Sequence, residues 1–241
     1  MASIAETIAR RVAAMGDPQR AAGMSRYFKT GPGQYGEGDV FVGVTTPQMR
    51  ALVKEFWRDT PWDAVPELLA SRVHEVRSAG LAIWVKRFEK GAEDEREAIY
   101  KSYLAHAARI NNWDLVDISA PGIVGAHLLE RPRDILRKLA MSPLLWERRI
   151  AIIATLTFIR KGDFADTLAI AELLQPDRED LIHKATGWML REVGKKDGAA
   201  LEAFLTKHAA VLPRTTLRYA IERMDETARQ RWLSCGRQKK S

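Results

Sequence analysis

Apolar residues recur at intervals of three and four along nearly the whole chain, and no segment shows the sustained alternation of a strand. The pattern predicts an all-α protein of about 13 helices joined by short connections. Helix starts are signposted. In "TTPQMRALVKEFW" the pattern predicts Thr46 as N-cap with Pro47 at the first helical position, and "TPWDAVPELLASR" repeats the opening at Thr60 and Pro61. "GDFADTLAIAELL" is expected to start at Asp163. Asp177 is expected to cap the long helix in "PDREDLIHKATGWMLREVGKKDG", with a glycine stop near Gly198. Helix pairs recur about every 35 to 40 residues, the period of an α-solenoid of degenerate HEAT-like pairs. The segment "LLWERRIAIIATLTFIRKG" fits such stacking. Trp146, Ile150, Ile152, Ile153, Leu156, Phe158 and Ile159 cover its whole circumference, so it needs neighbours on several sides. An unrelated helical bundle accounts for the same pattern.

One stretch departs from it. "KTGPGQYGEGDVFVGV" carries Gly31, Gly33 and Gly36 in a formal G-x-G-x-x-G spacing, yet it neither follows a strand nor opens a helix within a βαβ unit. A dinucleotide site lacks its context here, and the stretch reads as a flexible surface loop.

Composition narrows the function classes. A chain of 241 residues, 46% hydrophobic and 29% charged, can bury a sizeable core. The lone cysteine, Cys235, excludes a disulfide framework or a thiolate metal cluster. The N-terminal segment has arginines inside its apolar pattern and reads as neither signal peptide nor membrane span, so a cytoplasmic location is expected. Lys and Arg outnumber Asp and Glu by 38 to 31, a net charge of +7, which suits a polyanionic partner without requiring one. The histidines at 74, 106, 127, 183 and 208 have no metal-ligand spacing. Neither a Walker lysine nor a G-x-S-x-G elbow is present, so metal hydrolysis and nucleotide hydrolysis are not expected.

Candidate chemistry lies in three places. On a helical wheel "DLIHKATGWMLREVGKK" puts Ile182, Ala185, Thr186, Met189 and Val193 on one side, with Lys184, Trp188, Arg191 and Lys195 opposite. A tryptophan among cations suits a sugar-phosphate backbone. Equally, it suits packing on a neighbouring repeat beneath lysine and arginine stems. Arg148 and Arg149 sit early in a largely apolar helix, where each needs an anion or an inter-helix salt bridge. In "NNWDLVD", Trp113 and Asp117 share one helical face, a turn apart, with Asn111 or Asn112 as cap. Either the tryptophan anchors a short helix and the aspartate pairs with an arginine, or the carboxylate is held beside an aromatic wall to meet positive charge.

Together, "NWDLVD" with Trp113 and Asp117, "WERR" with Arg149 and "IHKATGWMLRE" with Trp188 resemble the motif set of the AlkD-type DNA glycosylases. These are the HEAT-like-repeat alkylpurine glycosylases of the DNA alkylation repair family, and the resemblance runs from "MSRYFK" to "PRTTLRYAIE". It implies a single HEAT-like domain over residues 1–234; the residues 235–241 that follow read, from their basic composition, as a disordered tail. The domain would be a curved superhelix whose basic concave face holds duplex DNA. It further implies release of cationic N-alkylpurines such as 3-methyladenine and 7-methylguanine, without base flipping into a pocket, by a monomer needing no cofactor. Asp117 would then be the catalytic carboxylate, Trp113 and Trp188 would pack on deoxyribose and backbone, and Arg149 would hold a phosphate. Lys184, Arg191, Lys195 and Arg148 would contact DNA, with Tyr27, which matches the family's N-terminal tyrosine, as a lesser contact. Thr45 stands where the family has a glutamine in its G-I-Q-T-P segment, which leaves a shorter reach toward the lesion. A non-catalytic DNA-binding HEAT-like scaffold is the rival reading, although relatives of that kind lose parts of the motif. A protein-binding solenoid with an incidental basic face is a third.

Overall fold

Capping chemistry sets the helix boundaries. The computed structural model describes residues 2–235, and among them the secondary structure is helical apart from one isolated backbone bridge, Val40 to Val73. Helix α1 (Ile4–Ala14) opens with a capping box between Ser3 and Glu6, and α2 (Pro18–Tyr27) with Asp17 accepting from the Arg20 amide. Helix α3 (Thr46–Phe56) is capped by Thr45, one residue earlier than the sequence suggests. The Gln48 side chain closes a capping box only on the residue three before it, accepting from the Thr45 amide at 2.9 Å.

Several expected starts shift for similar reasons. Thr60 is not a cap: its hydroxyl donates back to the Phe56 carbonyl, and a 3-10 turn (Trp62–Ala64) leads into α4 (Val65–Leu69). Helix α11 (Ala165–Leu173) begins after Asp163, whose carboxylate also receives Arg133. Helix α12 (Asp180–Lys196) begins after Asp177, which accepts from Arg148 and from the Glu179 amide instead of capping. Asp197 ends α12 and caps α13 (Gly198–His208).

The chain forms two compact units, Met1–Ile123 and Val124–Ser241. In the first, the 17-residue α5 (His74–Lys90) is the hub, with α1, α3, α4, α6 (Glu93–Ala105) and α7 (Trp113–Ala120) packed on it. In the second, the hub is α12, also of 17 residues. Around it pack α9 (Leu145–Ala154), α10 (Leu156–Arg160), α11, α13 and α14 (Arg214–Ala220). Helices α8 (Asp134–Ala140) and α15 (Glu226–Ser234) complete that unit. The apolar segment around Ile150 is buried on all sides, as its pattern requires. It is nonetheless two helices, broken at Thr155, whose buried hydroxyl bonds the Ile152 carbonyl at 2.7 Å. Among the described residues no helix is long and apolar enough to cross a membrane. The basic tail lies outside the described residues, apart from Cys235 at the end of α15.

The glycine-rich stretch is a tethered strap rather than a flexible loop. Val40 exchanges backbone hydrogen bonds with Arg72 and His74, and the buried Glu75 carboxylate accepts from the amides of Val42, Gly43 and Val44. Gly43 holds φ at +88°, and any Cβ there would lie 2.3 Å from the Asp17 carbonyl oxygen. Periodicity carries no sign of this docking, because the tethers are single polar contacts between distant positions.

Candidate active site

Helix α7 is only eight residues long, so its direction depends on what holds its first turn. Asn112 is the cap: its Oδ1 accepts from the Trp113 amide at 2.8 Å, while its buried Nδ2 donates to Asp39 at 3.3 Å. Trp113 and Asp117 lie on this helix a turn apart, as the spacing requires, and both are half-buried. Asp117 stands close enough to the Tyr103 hydroxyl to add to the upward push on its ionisation. Burial is the larger cause, and a bond to Ser119 opposes both.

The Trp113 indole is fixed on several sides. Its Nε1 donates to the Tyr35 hydroxyl at 3.2 Å, and its ring stacks on Phe28 with centroids 5.2 Å apart. Tyr27, 66% exposed, meets it edge-on at 6.0 Å, so the structure brings together the first tryptophan and the N-terminal tyrosine. The stack continues inward from Phe28 to Phe41 at 4.9 Å, and from Phe41 to the His74 ring at 4.4 Å. Tyr35 belongs to the strap, which therefore helps build the site.

Beneath this surface lies a buried polar cluster. His74 bonds Asp39 Oδ2 through Nδ1 at 3.0 Å and Asp114 Oδ2 through Nε2 at 2.8 Å, and Arg77 donates to Asp39 Oδ1 at 2.6 Å. Burial by itself would push the His74 pKa down, but the bonds to Asp114 and Asp39 outweigh it and raise it above the usual 6.5. Burial would likewise raise Asp39. His74, Arg77 and Asn112 together hold it below the usual carboxylate value instead. Both ring nitrogens of His74 face carboxylates, so the imidazolium form donates two hydrogen bonds. None of His74, Arg77, Asp39 or Tyr35 was legible as a site residue. The available signal was polarity itself, in "RVHEVRSAG", where charged residues occupy positions that face the core.

In the second unit the wheel for α12 holds: Ile182, Ala185, Thr186, Met189 and Val193 are buried. On the other side Trp188 is half-buried, and its Nε1 donates to Glu192 at 3.1 Å. The neighbouring cations are matched by carboxylates: Lys184 with Asp180 at 2.7 Å, Lys195 with Glu192 at 2.7 Å, and Arg191 with Glu222. Arg148 spans from α9 to Asp177 at 2.6 Å and to the carbonyls of Ser142 and Pro143, the inter-helix pairing open to it from sequence. Arg149 is 4% exposed and donates to the Leu181 carbonyl at 2.6 Å, which ties it to the first turn of α12. Thr45 is committed to capping α3, and its hydroxyl lies 2.7 Å from Gln48 Oε1.

This all-α arrangement has counterparts. The model of the DNA alkylation repair enzyme family matches residues 8–224, and the chain belongs to that family. A solved structure described as a predicted DNA alkylation repair enzyme from Enterococcus faecalis aligns with a TM-score of 0.71 at 20% identity. The alignment covers 88% of this chain and 98% of that one, and establishes a shared fold. No curated protein matches the chain significantly. Family membership gives the protein a role in repair of alkylated DNA, as an enzyme with DNA as its partner.

Proposed function

We propose that this protein is a monofunctional DNA glycosylase that hydrolyses the N-glycosidic bond of cationic N-alkylated purines in duplex DNA. One observation carries the reading: a half-buried carboxylate, Asp117, stands a turn from an indole held by Tyr35, Phe28 and Tyr27 on a helix capped by Asn112. An alkylated purine is already a cationic leaving group, so little acid catalysis is needed. As the bond breaks, positive charge moves onto the deoxyribose. A carboxylate about 4 Å away stabilises that charge by roughly 4 kcal/mol at an effective dielectric near 20. That corresponds to about a thousandfold in rate. Asp117 can also orient the attacking water, and the Trp113 face favours a cationic sugar.

In the second unit, Trp188 is assigned to a DNA backbone contact and Arg149 to a phosphate. Arg149's bond to the Leu181 carbonyl fixes where its guanidinium stands on α9. Hydrolysis would leave an abasic site and an intact strand. The substrate would be handled without flipping the base into a pocket, by a monomer acting on DNA in the cytoplasm.

The test is release of methylated bases from methylated duplex DNA by wild type and Asp117→Asn. Release by wild type and a loss of about a thousandfold in the variant, with DNA binding retained, supports the reading. Equal release by both rejects the role of Asp117. No release by either, with salt-sensitive duplex binding, makes the protein a non-catalytic scaffold.

A further inference from the structure

Two independent paths connect the buried His74 to the surface that carries Trp113 and Asp117. The first is polar. His74 bonds Asp114, the residue between Trp113 and Leu115 in the first turn of α7, and it bonds Asp39, which in turn accepts from the α7 cap Asn112. The second is apolar, the ring stack from His74 through Phe41 and Phe28 to the Trp113 indole. A short helix gripped at its cap and first turn can neither slide nor roll. The direction in which Trp113 and Asp117 project is therefore set by the relay.

We propose that the Asp39–His74–Asp114 relay, anchored by Arg77, is a positioning device for the reaction face of α7, with His74 as its doubly donating centre. This rests on the glycosylase reading for its catalytic consequence, though not for its structural one. The two carboxylates are unequal. Asp39 keeps Arg77 and Asn112 whatever His74 does. Among the described residues Asp114 bonds only His74: its other oxygen, Oδ1, is buried without a hydrogen-bond partner. A neutral imidazole keeps one N–H and can serve only one of them. Loss of the His74 proton therefore breaks one of its two links. The tautomer protonated on Nε2 keeps Asp114 and gives up Asp39, and the one protonated on Nδ1 keeps Asp39 and strips Asp114 of its donor. In both cases the continuous tether from strap to α7 is lost.

The charged groups that face His74 are Asp39 from the strap, Asp114 from α7 and Arg77 from α5. Phe28 and Phe41 cover the ring. Arg77 opposes protonation, and the carboxylates favour it. Asp114 and Asp39 are thus what favour the charged form of an imidazole in a buried position.

The experiment is an NMR titration of the ring nitrogens of His74 and the indole N–H of Trp113, assigned with a Trp113→Phe control, alongside single-turnover base release as a function of pH. Both His74 nitrogens are expected to be protonated at neutral pH, and the Trp113 signal should move as His74 loses its proton. Asp114→Asn keeps the shape and removes the charge. It should shift that titration to lower pH and slow excision by between about tenfold and a hundredfold, with duplex affinity little changed. A neutral His74 in wild type at neutral pH, or a Trp113 signal blind to its titration, overturns the proposal. So does unaltered excision in Asp114→Asn with wild-type activity present. Should wild type release no base, the glycosylase reading fails alone, because the indole signal still decides the relay. Should Asp114→Asn fail to fold, the wild-type titration decides it.

Discussion

The hub helices α5 and α12 have the same length and a similar number of packing partners, yet they treat charge in opposite ways. On α5, His74, Glu75 and Arg77 are buried within its first turns. Each is spent on holding something else: Glu75 the strap amides, His74 and Arg77 the aspartates at the root of α7. On α12 the buried positions are apolar apart from Thr186, and the ionic side chains stand on the outer face beside Asp180, Glu192 and Glu222. Buried ionic groups are costly to leave unmatched and therefore fix geometry. Exposed pairs are weak and exchange readily, so their cations can trade a carboxylate for a phosphate. One helix buries its charges against neighbours, the other keeps them in pairs on its outer face.

Removing one partner from each kind of pair should separate them most clearly. Asp39→Ala leaves two buried cations without their shared acceptor and should cost about 3–5 kcal/mol in denaturant unfolding. Glu222→Ala, which removes the half-exposed partner of Arg191, should cost no more than about 1 kcal/mol. Similar losses at both positions would dissolve the contrast.

Backbone approach gives a second comparison. A Cβ on Gly187 would lie 2.5 Å from the Tyr219 Cβ and 2.6 Å from the Thr216 carbonyl oxygen, where α14 crosses α12. Gly187→Ala should therefore destabilise by about 1–3 kcal/mol in a thermal melt. Gly23, inside α2, has nothing within 4 Å of such a Cβ. Gly23→Ala should stabilise by about 0.5–1 kcal/mol through helix propensity alone.

The relay also gives the first unit a pH signature. His74 is raised, so its contribution is complete below pH 6.5 and is lost as pH climbs through its folded value, above 6.5. Asp39 is lowered, so its contribution is complete above pH 3.8 and is lost as pH falls through a folded value below that. Chemical unfolding across pH should show a stability plateau with an alkaline decline, and His74→Gln should flatten that decline. The smallest effect is expected on the outer face of α12. Lys184→Gln should leave stability nearly unchanged, and if Lys184 meets a phosphate it should reduce the slope of log affinity against log salt by about 0.9.

Much of the fold was legible as pattern. The buried stripe of α12 and the all-round apolar segment at 146–159 followed from periodicity, because burial of a helix face is a local, repeating constraint. Boundaries were less legible. Thr46, Thr60, Asp163 and Asp177 are all good caps, but the residue that caps is decided by which side chain reaches which amide, and Gln48, Phe56, Arg133 and Arg148 had claims on them or their neighbours.

By itself, the sequence determined that the protein is all-α, that Trp113 and Asp117 share a face, and that Trp188 stands opposite its helix's core stripe. Each depends only on helical geometry over a few residues. Only the tertiary structure decided that the glycine-rich stretch is a tethered strap and that His74 joins Asp39 to Asp114. These contacts link positions 35 and 40 residues apart, so no local period can encode them. They exist because buried charges must find partners wherever the fold brings them.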